Sequence, residues 1–122
     1  MIDHLSIQVR DVPASAAFYD TVLAPLGSQR LLDFGDVIGY GTNRPRFWIG
    51  PIDTTGEARE AHIAFIAMDR ASVVAFYNAA LAAGAESLHA PKEWPEYHPG
   101  YFGAFVRDPD GNNVEAVCHE PQ

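Results

Sequence analysis

The sequence predicts an α+β protein built from two copies of one β-α-β-β-β unit. Three observations predict it: a gapless internal repeat, a strand-type alternation followed by a helix-type pattern in each copy, and turn signals between short apolar segments. We expect the first unit over residues 1–50, a linker over 51–60 and the second unit over 61–122, with the 122 residues forming a single domain.

The repeat appears when the chain is shifted by 58 residues. Residues 4–24 then align with residues 62–82 without a gap, and seven of the 21 pairs are identical. The identical pairs that carry most weight are His4/His62, Asp11/Asp69 and the Phe-Tyr dipeptides at 18–19 and 76–77. The repeat therefore indicates a duplication in which His4 and His62 are equivalent residues.

Each copy opens with a strand and continues with a helix. On the first strand the apolar residues, beginning with Leu5, alternate with His4, so they face opposite sides of the strand. On the first strand of the second copy His62 likewise faces away from the apolar residues. Asp11 and Asp69 are expected to cap the N-termini of the two helices. Three strands are expected after each helix, at about 30–34, 37–41, 46–50, 86–89, 102–107 and 113–117. The Asp-Pro-Asp-Gly sequence at 108–111 predicts a hairpin between the last two.

Composition excludes several classes of protein. The formal net charge is −8 and the eight Lys and Arg residues are scattered, so nucleic acid is not an expected partner. No apolar run approaches the roughly 18 residues of a membrane span, so no membrane association is expected. The lone Cys118 and the lack of a signal-peptide pattern predict a cytoplasmic protein.

The two units, the paired histidines and the Gly-Asn-Asn-Val-Glu sequence at 111–115 resemble the vicinal oxygen chelate superfamily, which includes glyoxalase I, extradiol dioxygenases and bleomycin-resistance proteins. The resemblance covers essentially the whole chain. It implies that the two units form an eight-stranded cup around a divalent metal. It also implies a homodimer, since members of this superfamily often complete the cup between two chains.

The resemblance implies that His4, His62 and Glu115 bind the metal. The fourth ligand position of the superfamily falls on the strand at 46–50, where Trp48 is expected to occupy it. Because glyoxalase I typically has a carboxylate there, Trp48 favours a different reaction.

Two imidazoles and one carboxylate suit Fe, Mn, Zn or Ni and leave positions open for a bidentate substrate. The structural alternatives are that the histidines are hydrogen-bonded core residues, and that Glu115 forms an ion pair with Arg107 or Arg46.

Further candidates surround the expected cup. His98, Tyr97 and Tyr101 lie in a Pro- and Gly-containing loop and are candidates for proton transfer or substrate positioning. The alternative is that the two tyrosines cap the core and His98 is solvated. Trp48, Tyr40 and Trp94 are candidate walls for a flat small-molecule substrate, with core packing as the alternative.

The predicted function is that of a metal-dependent enzyme acting on a small oxygen-bearing substrate, of the lyase, isomerase or ring-cleaving dioxygenase type. The first alternative is a non-catalytic binding protein of the bleomycin-resistance type. A weaker alternative is a fosfomycin-type thioltransferase, which is disfavoured because an anionic phosphonate requires a basic cup and the chain offers few cations.

Overall fold

The computed structural model describes residues 1–52 and 60–119, and within them the chain forms eight β-strands and two α-helices. The first unit consists of β1 (Leu5–Val9), α1 (Val12–Leu23), a 3₁₀ turn (Ala24–Leu26), β2 (Gln29–Asp33), β3 (Ile38–Gly41) and β4 (Phe47–Pro51). The second consists of β5 (His62–Ile66), α2 (Arg70–Ala82), β6 (Ser87–Glu93), β7 (Phe102–Arg107) and β8 (Asn113–Cys118). Residues 53–59 of the expected linker lie outside the described residues, and Pro51 belongs to β4.

The strands form two four-stranded sheets with the same topology. Their orders are β1-β4-β3-β2 and β5-β8-β7-β6, and in each sheet the first strand pairs in parallel with the fourth. The remaining pairs are antiparallel, including the predicted β7–β8 hairpin. The predicted α+β fold with tandem β-α-β-β-β units is therefore confirmed.

The helices begin where the sequence predicts. Asp11 accepts a hydrogen bond of 3.0 Å from the Ala14 N–H, and Asp69 accepts one of 2.8 Å from the Ser72 N–H. These bonds satisfy backbone donors that have no partner within the first helical turn. Gly27, after the 3₁₀ turn, has a φ of 82°, a left-handed conformation that ends a helical segment readily only at glycine.

Strand β6 is longer than the expected 86–89. It continues to Glu93 through register shifts on both sides of His89, the second of which spans Pro91. A proline removes a ladder donor and is tolerated because β6 is an edge strand. Strand β6 consequently ends directly before Trp94, which lies beside the site described below.

Alternation divides β8 between two environments. Val114, Ala116 and Cys118 belong to the main hydrophobic core, which includes buried residues of both helices. Glu115 and Val117 point the other way and are buried outside that core. We call this second surface, formed by His62, Gly103, Phe105, Glu115 and Val117, the outer face of the second sheet.

The two units contact each other through their helices, through an aromatic pair and through polar contacts to the β7–β8 turn. Helix α1 packs against α2, and the rings of Phe47 and Phe65 meet edge to face at 5.1 Å between centroids. The Tyr19 hydroxyl on α1 donates a hydrogen bond of 2.7 Å to Asp108 in the β7–β8 turn. No helix in the described part of the chain has the length and apolar character needed to cross a membrane.

Candidate metal and substrate site

Glu115 is the centre of the candidate site. Its side chain is 1% exposed, and its Oε1 lies 2.8 Å from Nε2 of His62, whose side chain is 54% exposed. Strand β8 places Glu115 on the outer face opposite Ala64, two positions along β5 from His62. A carboxylate this buried requires strong partners, because its desolvation otherwise costs several kcal/mol.

Tyr101 is the second partner of this carboxylate. Its hydroxyl donates a hydrogen bond to Glu115 Oε2. Burial, and next the hydrogen bond to Glu115, raise the pKa of the Tyr101 phenol above its usual value. Gly103 leaves the space for this arrangement, since a Cβ there would lie 3.2 Å from Glu115 Oε2 and 3.3 Å from the Tyr101 ring. Tyr101 is therefore a proton-bearing donor fixed against the carboxylate.

An aromatic wall borders the site on the side of β6. Trp94 is buried, donates from Nε1 to the Gly103 carbonyl at 3.1 Å and packs edge to face on Phe105. The exposed Tyr97 ring stacks on Trp94 at 5.7 Å, and the Lys92 ammonium lies 4.0 Å above the Trp94 ring. Of the predicted substrate-contacting residues, Trp94 is thus the one whose neighbours Gly103 and Phe105 lie on the same face as the His62–Glu115 pair.

His98 is held by two hydrogen-bonding contacts. Its Nδ1 lies 2.8 Å from the Pro99 carbonyl, and its Nε2 lies 2.9 Å from Nδ1 of His119. The two imidazoles are nearly coplanar, with 20° between their planes, and both pack edge to face against the Tyr101 ring. Sequence patterns assign His119 no role, because nothing in the sequence signals that its ring meets one 21 residues earlier.

Trp48 occupies the place in the first unit that Glu115 occupies in the second. Trp48 pairs with Ser6, Glu115 pairs with Ala64, and Ser6 and Ala64 are equivalent under the 58-residue shift. The Trp48 ring lies parallel to the exposed Phe34 ring, with 6.5 Å between centroids. The first unit therefore presents an aromatic surface at the position where the second presents a carboxylate.

His4 and Tyr40 lie outside the His62–Glu115 contact, although they share a cleft with His62. The exposed His4 bonds through Nδ1 to Asp3 at 2.9 Å, and the hydrogen bonds from His4 and Arg44 lower the pKa of Asp3. Tyr40 is buried in the core and donates to Asp20 at 3.0 Å. Both residues, with His62, border a cleft of about 620 Å³ between the units. Among residues 1–52 and 60–119, no group of three or more His, Cys, Asp or Glu side chains is arranged to bind a metal ion.

The cations considered as alternative partners of Glu115 have other contacts. Arg107 pairs with Glu60 and, at 3.3 Å, with Glu86. Arg46 contacts the Asp3 carbonyl. The described partners of Glu115 are thus an imidazole and a phenol, a donor set suited to a metal-binding carboxylate.

Comparison with known proteins connects this arrangement with one family. Residues 1–116 match the family model described as the Glyoxalase/Bleomycin resistance protein/Dioxygenase superfamily. A search of the curated proteins found no match.

Solved structures show the same fold. A glyoxalase/bleomycin resistance protein from Albidiferax ferrireducens T118 is 26% identical, with a TM-score of 0.85 over 96% of this chain and 98% of that one. A lactoylglutathione lyase from Agrobacterium tumefaciens is 24% identical, with a TM-score of 0.70 over 96% and 92% of the two chains. A glyoxalase-related enzyme from Fulvimarina pelagi is 20% identical, with a TM-score of 0.73 over 96% and 86%.

Proposed function

Because the chain belongs to the glyoxalase/bleomycin resistance/dioxygenase superfamily, we propose that it is a metal-dependent enzyme acting on a small oxygen-bearing substrate. The reaction class is that of a lyase, an isomerase or a ring-cleaving dioxygenase. A divalent ion (Fe, Mn, Zn or Ni) held at the site would supply Lewis acidity toward two neighbouring substrate oxygens.

The observation that carries the proposal is the contact between His62 and Glu115. An imidazole nitrogen and a carboxylate oxygen face each other at 2.8 Å, and the carboxylate is almost entirely buried below the exposed ring. The Tyr101 hydroxyl orients the second carboxylate oxygen, as outer-shell partners of metal ligands commonly do. These residues fit a divalent ion, and they supply two of its three proposed ligands.

The third proposed ligand is His4, supplied by a second copy of the chain. Within one chain no three-ligand group forms among the described residues, and His4 is exposed. The outer face of the second sheet carries an exposed His62, and exposed Ile66 continues the same side of β5. A homodimer that sets the first unit of one copy against the second unit of the other would bring His4 to His62 and Glu115.

The remaining residues of the site have roles in binding and orientation. Tyr101 keeps its proton because its pKa is raised, so it remains a hydrogen-bond donor across the neutral range. The exposed Tyr97, stacked on the buried Trp94, offers an aromatic face to the apolar part of a substrate. The cytoplasmic location is part of the proposal, supported by Cys118 being the single cysteine, since one cysteine cannot form a disulfide within the chain.

Metal content tests the first part of the proposal. Protein purified without added metal or chelator is expected to carry stoichiometric metal at the His62–Glu115 site, and His62→Ala and Glu115→Ala are each expected to lose that ion. Glu86→Ala is the matched control, because Glu86 is an exposed carboxylate of the same unit that pairs with Arg107. Wild-type protein without stoichiometric metal would overturn the enzyme proposal. Bound iron would direct substrate screening to catechols, and bound zinc, nickel or manganese to thiol adducts of 2-oxoaldehydes.

Mixing two inactive variants tests the second part. His4→Ala and Glu115→Ala are each expected to bind no metal at the His62–Glu115 site. When the two are unfolded and refolded together, heterodimers regain one intact site of two, so about a quarter of the wild-type sites should return. If mixing restores no binding, the ligands do not come from two copies.

A second candidate function is that of a non-catalytic small-molecule-binding protein of the bleomycin-resistance type. The parallel stack of Trp48 and Phe34 favours it, because a flat ligand packs well on such a surface. Trp48→Ala should then abolish ligand binding in protein that carries no metal.

A further inference from the structure

We propose that His98 and His119 form a second metal site, for a divalent ion that prefers imidazole ligands, such as Zn²⁺. The site is distinct from the His62–Glu115 pair and is formed by the loop between β6 and β7 and by the residue that follows β8. Both histidines are exposed, so an ion has access from solvent.

The orientation of the His98 ring favours metal binding. Its Nδ1 is satisfied by the Pro99 carbonyl at 2.8 Å, which fixes the proton of the neutral ring on Nδ1 and leaves the Nε2 lone pair directed at His119. Metal-binding histidines characteristically donate their other ring N–H to a carbonyl or carboxylate in this manner. The backbone therefore already selects the tautomer that a metal ligand requires.

The distance between the facing nitrogens of His98 and His119 also favours metal binding. Nε2 of His98 and Nδ1 of His119 are 2.9 Å apart. Two imidazoles that bind one Zn²⁺ at the usual roughly 2.0–2.1 Å have nitrogens about 2.9 Å apart at a right angle and about 3.3 Å apart at a tetrahedral angle. A shift of about 0.4 Å brings the two nitrogens to the tetrahedral separation, and the exposed rings also have to turn so that both lone pairs point at the ion. Water would complete the coordination.

The position of His98 and His119 beside Tyr101 indicates what an ion bound by the two histidines would do. The Tyr101 ring packs against both imidazoles, at 5.3 Å from His98 and 5.2 Å from His119. An ion joining the two rings would fasten the loop to the end of β8 and hold Tyr101 between them. Because Tyr101 donates to Glu115, the second site would steady the position of that carboxylate without touching the substrate.

The test uses Zn²⁺ as the probe and begins from a His62→Ala background, so that the first site does not contribute. Isothermal titration calorimetry is expected to detect one remaining Zn²⁺ per chain. His98→Gln and His119→Gln, added separately, should each weaken this binding about tenfold or more. His89→Gln in the same background should leave it unchanged.

Imidazole ¹⁵N NMR identifies the atoms involved. Zn²⁺ should shift Nε2 of His98 and Nδ1 of His119 and leave Nδ1 of His98 protonated. The proposal is overturned if the His62→Ala protein binds no Zn²⁺, or if the bound Zn²⁺ leaves these two nitrogens unshifted. Failure of the proposed function would instead appear as wild-type and His62→Ala proteins that bind equal amounts of Zn²⁺.

Discussion

Trp48 and Glu115 occupy equivalent positions of the two sheets, one paired with Ser6 and the other with Ala64. The duplicated units have therefore kept one backbone register and diverged at the residue that a metal would contact. Trp48→Glu should place a second carboxylate in the proposed site and tighten metal binding by about tenfold or more, because one more anionic oxygen faces the ion. Trp48→Gln is the matched control, and equal affinities in the two variants would contradict the expectation.

Glu115→Gln should remove metal binding at the His62–Glu115 site while keeping the fold. The amide has the shape of the carboxylate and still accepts from Tyr101, but it is neutral and a poor metal ligand. Glu86→Gln changes an exposed carboxylate of the same unit and serves as the control. The measurement is metal stoichiometry alongside far-ultraviolet circular dichroism, and retained stoichiometry in Glu115→Gln would contradict the assignment of this ligand.

Gly39→Ala should displace Trp48. A Cβ at this position would lie 2.8 Å from the Trp48 ring and 2.9 Å from Pro45 Cβ, closer than packed atoms tolerate. We expect the free energy of unfolding to fall by about 1–3 kcal/mol and the Trp48 fluorescence to shift. Gly50→Ala is the control, since its Cβ would lie 3.6 Å from Val37 and both properties should stay near wild type.

The sequence predicted the units, the helix caps and the terminal hairpin because each depends on local signals. Asp11 and Asp69 precede their helices directly, and the Asp-Pro-Asp-Gly turn is contiguous. It predicted the end of β6 poorly, because Pro91 is a strand breaker that an edge position tolerates.

Sequence patterns predicted part of the candidate site. The 58-residue repeat and the family resemblance single out His62 and Glu115, which the structure brings into contact. They do not predict that Tyr101 binds Glu115 or that His98 meets His119, because both contacts depend on how a loop of irregular backbone folds. The orientation of one unit against the other is likewise set by helix packing between distant segments, which periodicity does not encode.

Asp108→Ala should destabilise the protein more than any exposed aspartate change. The buried Asp108 carboxylate accepts from the Tyr19 hydroxyl, the Asn112 side chain and the backbone N–H groups of Asp110 and Asn112. Leaving buried donors without a partner should lower the free energy of unfolding by about 3 kcal/mol in urea denaturation. Asp36→Ala, at an exposed position, should change it little. Similar values for the two variants would show that the turn network is not stabilising.

Stability should fall at alkaline pH. Burial, then the neighbouring Asp108, raises the pKa of Tyr19, and burial, then the hydrogen bond to Asp20, raises that of Tyr40. Above pH 10.0 the unfolded chain releases these protons while the folded chain keeps them. The free energy of unfolding should therefore be fully present below pH 10 and then decrease by about 1.4 kcal/mol per pH unit for each tyrosine.

The variant Tyr19→Phe checks this slope. It removes one of the titrating phenols, so its unfolding free energy between pH 10 and 11.5 should decline less steeply than that of the wild type. Parallel pH profiles for the two proteins would contradict the linkage.

The hydrogen bond between Tyr19 and Asp108 joins residues 89 positions apart in different units. A hinge motion of one unit against the other would have to break this buried contact and disturb the turn network around it, at a cost of several kcal/mol. Slow opening between the two units is consequently disfavoured, and ligand entry should not depend on such an opening. Gating of the outer face would then fall to the segment between β6 and β7, where relaxation-dispersion measurements should find the millisecond exchange.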